Sequence, residues 1–459
     1  MTPTTGIMPC PISESNISFT AGSLSSDTGV MLPLDFIIRN HLLDPVQALP
    51  FHDERVSFKE HNSNTALVTQ ILFRTIAGYH HQSDQSVLRE DPVFQTYFPS
   101  VASQSSISRL FRRVRMDTCQ SMANILTKQA CTFVHTHLKE IVLDIDSTKT
   151  DSYGAQELSA YIPHYGQEGY HPLLINEYNT GLILYSQLRP GNTYSSLGAE
   201  VAVREVLEQI SDSTPEGKLH SFWLRGDAAF YSNLFIETLE KRENPVHYVI
   251  RAKGSSKLRQ LCINKFESLM KNQDWFQSGT ESPYTASHPW YGEINYTMSN
   301  SHQERRVCFK IYHARMLTGK GKERKEELVP IVFAVITNIT ESLPSEVIEF
   351  YCLRGDSENF TKELKDDFGA KTLSHSDFWE NAFEFLLKSF SYNLFKIFRY
   401  LVLEGKDSRM RARTWRNLYQ KVASKLVRHA GSVHLRITIS FRYKHKFKKY
   451  LHKSRTETI

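Results

Sequence analysis

The sequence predicts an α/β core, preceded by a mainly helical region and interrupted by a β-rich segment. Three observations carry this. Residues 31–139 place apolar side chains at helical spacing. From Glu140 onward, short apolar runs alternate with helical stretches, the order of an α/β fold. Between residues 255 and 330 aromatic and polar residues mix in a way that suits strands. A length of 459 residues suits two or three domains, or one enlarged domain with an insertion.

Taken in order, residues 1–30 are rich in Ser, Thr, Gly and Pro and are expected to be poorly ordered or extended. Residues 31–139 form the helical region. NTALVTQILFRTIAGYHH has helical periodicity, and QSVLREDPVFQTYF reads as two short helices about a turn at Asp91-Pro92. In VASQSSISRLFRRVR, serines cap a helix that carries Ile107, Leu110 and Val114. Arg109, Arg112, Arg113 and Arg115 are interspersed, which suits DNA phosphate contact or base reading. An ordinary surface helix whose arginines meet only water is the alternative.

Residues 140–254 read as the first part of the core. IVLDID is a short buried strand ending in carboxylates. HPLLINEY and GLILYSQLRPG are two more strands, the second closed by a Pro-Gly turn. A helix follows over about 196–210, then a fourth strand, SFWLRGDAAF, then a helix in FIETLEKR and a strand in VHYVIRAK. Residues 255–330 read as a largely β insertion with a charged loop at GKGKERKEE. Residues 331–404 return to the core. LVPIVFAVITNI is a strand, 343–368 one helix with Pro344 in its first turn, and 377–403 a very apolar helix.

Charge is uneven. Residues 405–459 hold 16 Lys and Arg against 2 Asp and Glu, whereas the remaining 404 residues hold 39 basic and 47 acidic groups. The basic end suits a polyanion, or else serves solubility. The six cysteines are scattered without CxxC spacing, which argues against a structural zinc site or a disulfide scaffold. No signal peptide and no run of eighteen apolar residues is evident, so a reducing cytoplasm and no membrane are expected.

The chemistry-bearing residues are acids. Asp144 and Asp146 alternate with apolar residues at a strand end, on one face by the period of two. A lone carboxylate there is costly to bury. Asp146 has the stronger claim to a site, because Ser147-Thr148 should open into a turn. Asp144 is the candidate for a supporting or structural acid. Asp227 repeats the arrangement on the fourth strand. Tyr351, Arg354, Glu358 and Lys365 follow at spacings of three, four and seven residues, expected on one face of a helix. Two strand-end acids and a helical glutamate can gather into a carboxylate cluster that holds two Mg²⁺ ions and cuts or joins phosphodiesters. Beside it, Arg354 and Lys365 can hold phosphates, and Tyr351 can stack on a displaced base or bond a phosphate. His164, His171 and His375 are expected to make packing or polar contacts.

These runs resemble the DDE transposases of bacterial insertion sequences. Tyr351, Arg354, Glu358 and Lys365 match the signature Y-x2-R-x3-E-x6-K of the insertion sequence 4 superfamily. LDIDST, YGAQELSAYIPHYGQEGYHPLL, LRPGNT, LRGDAAF and YCLRGDSENFTKELK look closest to the insertion sequence 1380 group, and the resemblance covers roughly residues 85–430. It implies an RNase H-like core with Asp146, Asp227 and Glu358 as catalytic and metal-binding acids. It also implies Mg²⁺, replaceable by Mn²⁺, two per active site. The implied reaction is cut-and-paste transposition through hairpin ends. The implied partners are double-stranded DNA at terminal inverted repeats, target DNA, and a second copy of the chain in the DNA complex. The implied place is the bacterial cytoplasm, at the nucleoid. Two departures stand out. Lys149-Thr150-Asp151 replaces an acidic pair, and Ala228-Ala229 lacks the glycine usual after the second acid, where alanine supplies a strained turn less readily. A structure-specific nuclease on the same core and a catalytically inactive DNA-binding protein are the alternatives.

Overall fold

The computed structural model describes residues 17–18, 20–55, 63–98, 100–212, 220–242, 246–278, 281–299, 301–318, 325–429 and 432–459. Residues 1–16 of the N-terminal segment and residues 319–324 of the charged loop lie outside the described residues. β1 (Leu24–Ser25) comes first, and Thr28, Gly29 and Val30 just after it are buried. Gly29 lies against the C-terminal region so closely that a Cβ there would meet the Tyr419 carbonyl oxygen at 1.8 Å. Only glycine permits that approach.

The helical region follows as α1 (Met31–Arg39), α2 (Asn64–Ile76), α3 (Gln85–Glu90), α4 (Phe94–Tyr97), α5 (Gln104–Phe111) and α6 (Met116–His137). Ser103 caps α5 by accepting from the Ser106 N–H, and Ile107 and Leu110 are buried. The arginine-bearing helix is shorter than the sequence predicts. It ends at Phe111, with Arg112 at its C-cap, so Val114 and Arg115 lie in the link to α6.

The core sheet begins with β2 (Glu140–Ser147). A small separate sheet follows, made of β3 (Thr150–Asp151), β4 (Ala160–Ile162) and β5 (Gln167–Tyr170). The chain rejoins the main sheet as β6 (Leu173–Glu177) and β7 (Ile183–Gln187), each antiparallel to the strand before it. After α7 (Ala199–Asp212) comes β8 (Ser221–Gly226), parallel to β2. After α8 (Asn233–Glu240) comes β9 (His247–Arg251), parallel to β8. This is the mixed α/β, RNase H-like arrangement. In β2, Ile141, Val142, Leu143 and Ile145 are all buried, as expected of a strand covered on both faces.

The insertion departs in one respect from a purely β reading. It opens with α9 (Ser256–Met270) and α10 (Asp274–Ser278). In α9, Leu258, Cys262, Ile263, Phe266 and Met270 are buried, a helical stripe within a segment read for its aromatics. Then β10 (Trp290–Thr297), β11 (Glu304–Thr318) and β12 (Lys325–Thr337) form an antiparallel meander. The end of β12 pairs with β9, so insertion and core share one eight-stranded sheet of order β10-β11-β12-β9-β8-β2-β6-β7.

The signature segment is two helices rather than one, α11 (Pro344–Cys352) and α12 (Gly355–Asp367). At the junction the N–H groups of Arg354, Asp356 and Ser357 bond three residues back, to Tyr351, Leu353 and Arg354. Ser357 Oγ also donates to the Arg354 carbonyl. These tighter bonds and Gly355 break the helical period, which the spacing of apolar residues does not reveal. α13 (Phe378–Val402) is the central helix, with 21 of 25 residues buried. Asn393 on α13 donates to the Ile183 carbonyl and accepts from its N–H, at 2.7 and 2.9 Å, so it satisfies the outer strand β7.

The basic C-terminal region is folded rather than a free tail. It comprises α14 (Ala412–Trp415), the hairpin β13 (Ser424–His429) and β14 (Ser432–Ile437), and α15 (Lys444–Thr456). β13 pairs with β1. Asp407 accepts from Tyr419, Lys446 and Tyr450. Arg416 is buried and donates to the carbonyls of Thr75, Ile76 and Asp367. Many of these cations are bound internally, to acids and carbonyls far away in sequence. Among the described residues no helix is long and apolar enough to cross a membrane.

Candidate active site

Asp144 and Asp146, two residues apart on β2, meet opposite fates. Asp144 is fully buried and accepts two hydrogen bonds from Arg225 on β8, at 2.7 and 2.8 Å. Arg225 also donates to the Phe350 carbonyl and lies 4.3 Å from the Tyr178 ring centroid. The pair clamps two parallel core strands to the start of the signature segment. Burial raises the Asp144 pKa, and the Arg225 guanidinium opposes the rise.

Asp146 sits at the open end of β2. It lines a cleft of about 400 Å³ together with Asp227, Glu358, Arg354, Lys365, Thr148 and Tyr165. Asp227 follows β8 and caps a short 3-10 turn, accepting from the Ala229 N–H at 2.8 Å. The turn needs no left-handed residue at Ala228 or Ala229, so alanine serves without strain despite the missing glycine. Glu358 stands exposed in the first turn of α12. Three acids distant in sequence therefore line one cleft.

Cations are interleaved with them. Arg354, at the N-cap of α12, donates to Asp146 Oδ1 at 2.9 Å. Lys365, in the last turn of α12, donates to Thr148 Oγ1. Burial pushes the Asp146 pKa up to about 6; Arg354 and Lys365 oppose it, while Asp227 and Glu358 add to it. Burial pushes the Lys365 pKa down to about 8, against the pull of Asp146. Mutual repulsion of carboxylates in one cleft marks a place for positive charge.

Among the described residues no three His, Cys, Asp or Glu side chains stand close enough to close around a metal as they are. The donor chemistry nevertheless fits a hard divalent cation. The cleft offers four carboxylates, those of Asp146, Asp227, Glu358 and Asp366, and hydroxyls, and neither imidazole nor thiolate. Asp146, Asp227 and Glu358 would hold it, with Asp146 exchanging its Arg354 partner for the ion.

The other candidates are placed as follows. Tyr351, on α11, is half-buried against Phe333, with ring centroids 5.6 Å apart, outside the lining of the cleft. Arg109 and Arg112 are exposed. Arg113 is turned inward, donating to Asn64 Oδ1 at 2.6 Å and lying 3.6 Å from Asp53. His171 bonds the Thr193 carbonyl, and His375 pairs with Glu380 and Glu384. Tyr165 lines the cleft although no motif position singled it out. It reaches the acids by way of the small β3–β5 sheet, whose strands of two to four residues carry little pattern.

An RNase H-like sheet, with Asp146, Asp227 and Glu358 lining one cleft, has the layout of DDE-class enzymes that act on DNA. The chain belongs to the family of transposase DDE domain group 1, whose model matches residues 12–457. Among solved structures it is similar to the piggyBac transposase synaptic complex with hairpin DNA, determined by cryo-EM. The identity is 14%, over 85% of this chain and 78% of that chain, at a TM-score of 0.42. Comparison with curated proteins gives no match.

Proposed function

We propose that the protein is the transposase of a bacterial insertion sequence, of the 1380 group, acting by cut-and-paste through hairpin ends. The observation that carries this reading is the cleft in which Asp146, Asp227 and Glu358 meet Arg354 and Lys365. Asp146, Asp227 and Glu358 are the catalytic acids and the ligands of two Mg²⁺ ions, which Mn²⁺ can replace. When bound, such ions supply Lewis-acid polarisation of the phosphate and a water of lowered pKa. The chain's own residues do the rest. Arg354 moves from Asp146 to a phosphate oxygen as DNA enters, so the guanidinium fork stabilises charge that grows at the reacting phosphate. Lys365, anchored on Thr148, holds a neighbouring phosphate. Tyr351 holds the displaced strand or its terminal phosphate from the rim. Asp144 acts only by holding β2 in place.

The substrates in this reading are terminal inverted repeats and then target DNA. The active complex is a dimer on DNA at the bacterial nucleoid, with residues 31–139 and 405–459 recognising the ends. Arg109 and Arg112 are exposed and available for that contact, whereas Arg113 is held inward by Asn64 and Asp53.

The test is incubation of purified protein and Mg²⁺ with DNA that spans an element end and its flank, resolved on a denaturing gel. A nick at the boundary followed by a hairpin band is expected, with both lost in Glu358→Ala. Cleavage without strand transfer would favour a nuclease. Binding without cleavage would favour an inactive DNA-binding protein.

A further inference from the structure

The cleft that carries the acids is itself a poor place for a polyanion to gain affinity. Its charged lining is Asp146, Asp227, Glu358 and Asp366 against Arg354, Lys362 and Lys365, a negative surplus. A second cavity of about 750 Å³ adjoins it and shares Lys365 and Asp366 with it. Four parts of the chain build its walls: the turn after α2, the segment after α12, α13, and the C-terminal region around α14. Six Lys and Arg side chains line it against three acids.

The internal pairing removes most of the negative charge from play. Asp367 is held by Arg411 and by the Arg413 N–H, and Glu384 by Lys388 and His375. Among the cations, Lys388 and Arg416 are tied to protein acceptors. Lys371 and Arg413 are exposed, and neither side chain has a hydrogen-bond or ion-pair partner among the described residues. A concave surface with uncompensated positive charge focuses its field on a passing anion.

We infer that this groove holds the backbone of the DNA strand that runs out of the acid cleft, with Lys371 and Arg413 on its phosphates and Lys365 at the junction of the two cavities. The inference rests on the reading of the cleft as a DNA-processing centre. It separates affinity from chemistry: the groove attracts and aligns the backbone, and the acid cleft next to it reacts. It also selects, from the sixteen basic residues of the C-terminal region, the one exposed arginine that faces the reaction path.

The test is fluorescence anisotropy of the full chain with a labelled duplex of about 30 base pairs, titrated at several salt concentrations. Three proteins are compared: wild type, Lys371→Glu with Arg413→Glu, and a control with the same charge change on the insertion, Lys257→Glu with Lys271→Glu. The groove variant is expected to lose about tenfold or more in affinity, and its log–log salt slope should fall by about two, since each phosphate contact contributes about one. The control should lose far less, and all three should melt together. Lys371→Arg with Arg413→Lys should retain binding. Equal loss in the groove and control variants overturns the groove while leaving the cleft intact. Wild type that neither binds nor cuts DNA overturns the reading of the cleft itself.

Discussion

Arg354 donates to Asp146 across 2.9 Å, from the N-cap of the signature helix to the end of the central strand. In the free protein the guanidinium is the hydrogen-bonded counter-ion of a carboxylate that faces Asp227 and Glu358, with Lys365 as a further cation in the cleft. On DNA, in the proposed mechanism, a phosphate takes the place of Asp146. Arg354→Ala is therefore expected to lower single-turnover cleavage by about a hundredfold or more, the scale of removing an aimed donor at a reacting centre. Duplex affinity should change by less than about threefold, because one buried cation contributes little to a long electrostatic footprint. Arg354→Lys should recover only part of the rate, since a point charge lacks the planar fork. An affinity loss as large as the rate loss would make Arg354 a binding residue only.

Asp144 and Asp146 allow a second contrast. Both are aspartates on one face of one strand, yet one is locked to Arg225 and the other looks into the cleft. Asp144→Ala leaves Arg225 buried without its partner and is expected to cost about 3–5 kcal/mol in urea unfolding. Asp146→Asn removes a carboxylate whose pKa burial holds at about 6, so at pH 7.5 its melting temperature should equal or exceed that of wild type. The same variant should be catalytically dead. A stability loss as large as that of Asp144→Ala would move Asp146 from the site to the scaffold.

Residues close in sequence were the legible ones. The strand-end acids announce themselves because a carboxylate ending an apolar run has few acceptable places. The long apolar helix was legible from Asp377 onward because its cap and its pattern agree, and Asp377 does accept from the Trp379 and Glu380 N–H groups. What escaped depends on distant partners or on short elements. Arg113 reads as a surface arginine until Asp53 and Asn64 are seen beside it. The basic C-terminal region reads as a tail until Arg416 is seen among the carbonyls of Thr75 and Ile76. The break between α11 and α12 lies in three backbone hydrogen bonds that no side-chain period encodes. Tyr165 enters the cleft through a sheet too small to show an alternation.

Glu363 ties the signature helix to the rest of the fold. It is buried on α12 and accepts from Arg399 on α13 at 3.1 Å and from the Ala412 N–H at 2.7 Å, with Lys396 at 3.9 Å. Glu363→Ala would strand two buried cations and the first N–H of α14. The expected cost is about 3–5 kcal/mol in urea unfolding. Glu363→Gln keeps the shape and one acceptor, and should cost less. Wild-type stability in the alanine variant would show that α12 is held by packing alone.

His375 gives a pH-dependent signature of the same scaffold. It is buried just before α13, with Glu380 at 3.0 Å and Glu384 at 3.3 Å, Gln82 at 3.3 Å, and the tilted Phe111 ring 4.2 Å away between centroids. Lys388 faces the same Glu384 from one turn further along. Burial disfavours the imidazolium, but the two glutamates outweigh it and raise the His375 pKa to about 9. Glu384 is pushed below the usual carboxylate range by Lys388 and His375, against its burial. The sign follows from linkage. A histidine raised above its unfolded value near 6.5 contributes fully below that pH and loses its contribution as pH rises through about 9. A glutamate lowered in the fold contributes above its unfolded value near 4.5. The pair is therefore at full strength between about pH 4.5 and 6.5. Urea unfolding of His375→Gln against wild type should show a deficit of about 2–3 kcal/mol at pH 6, shrinking steadily toward pH 9.5. A deficit that does not change between these pH values would mean that the ring matters for its packing on Phe111 and not for its charge.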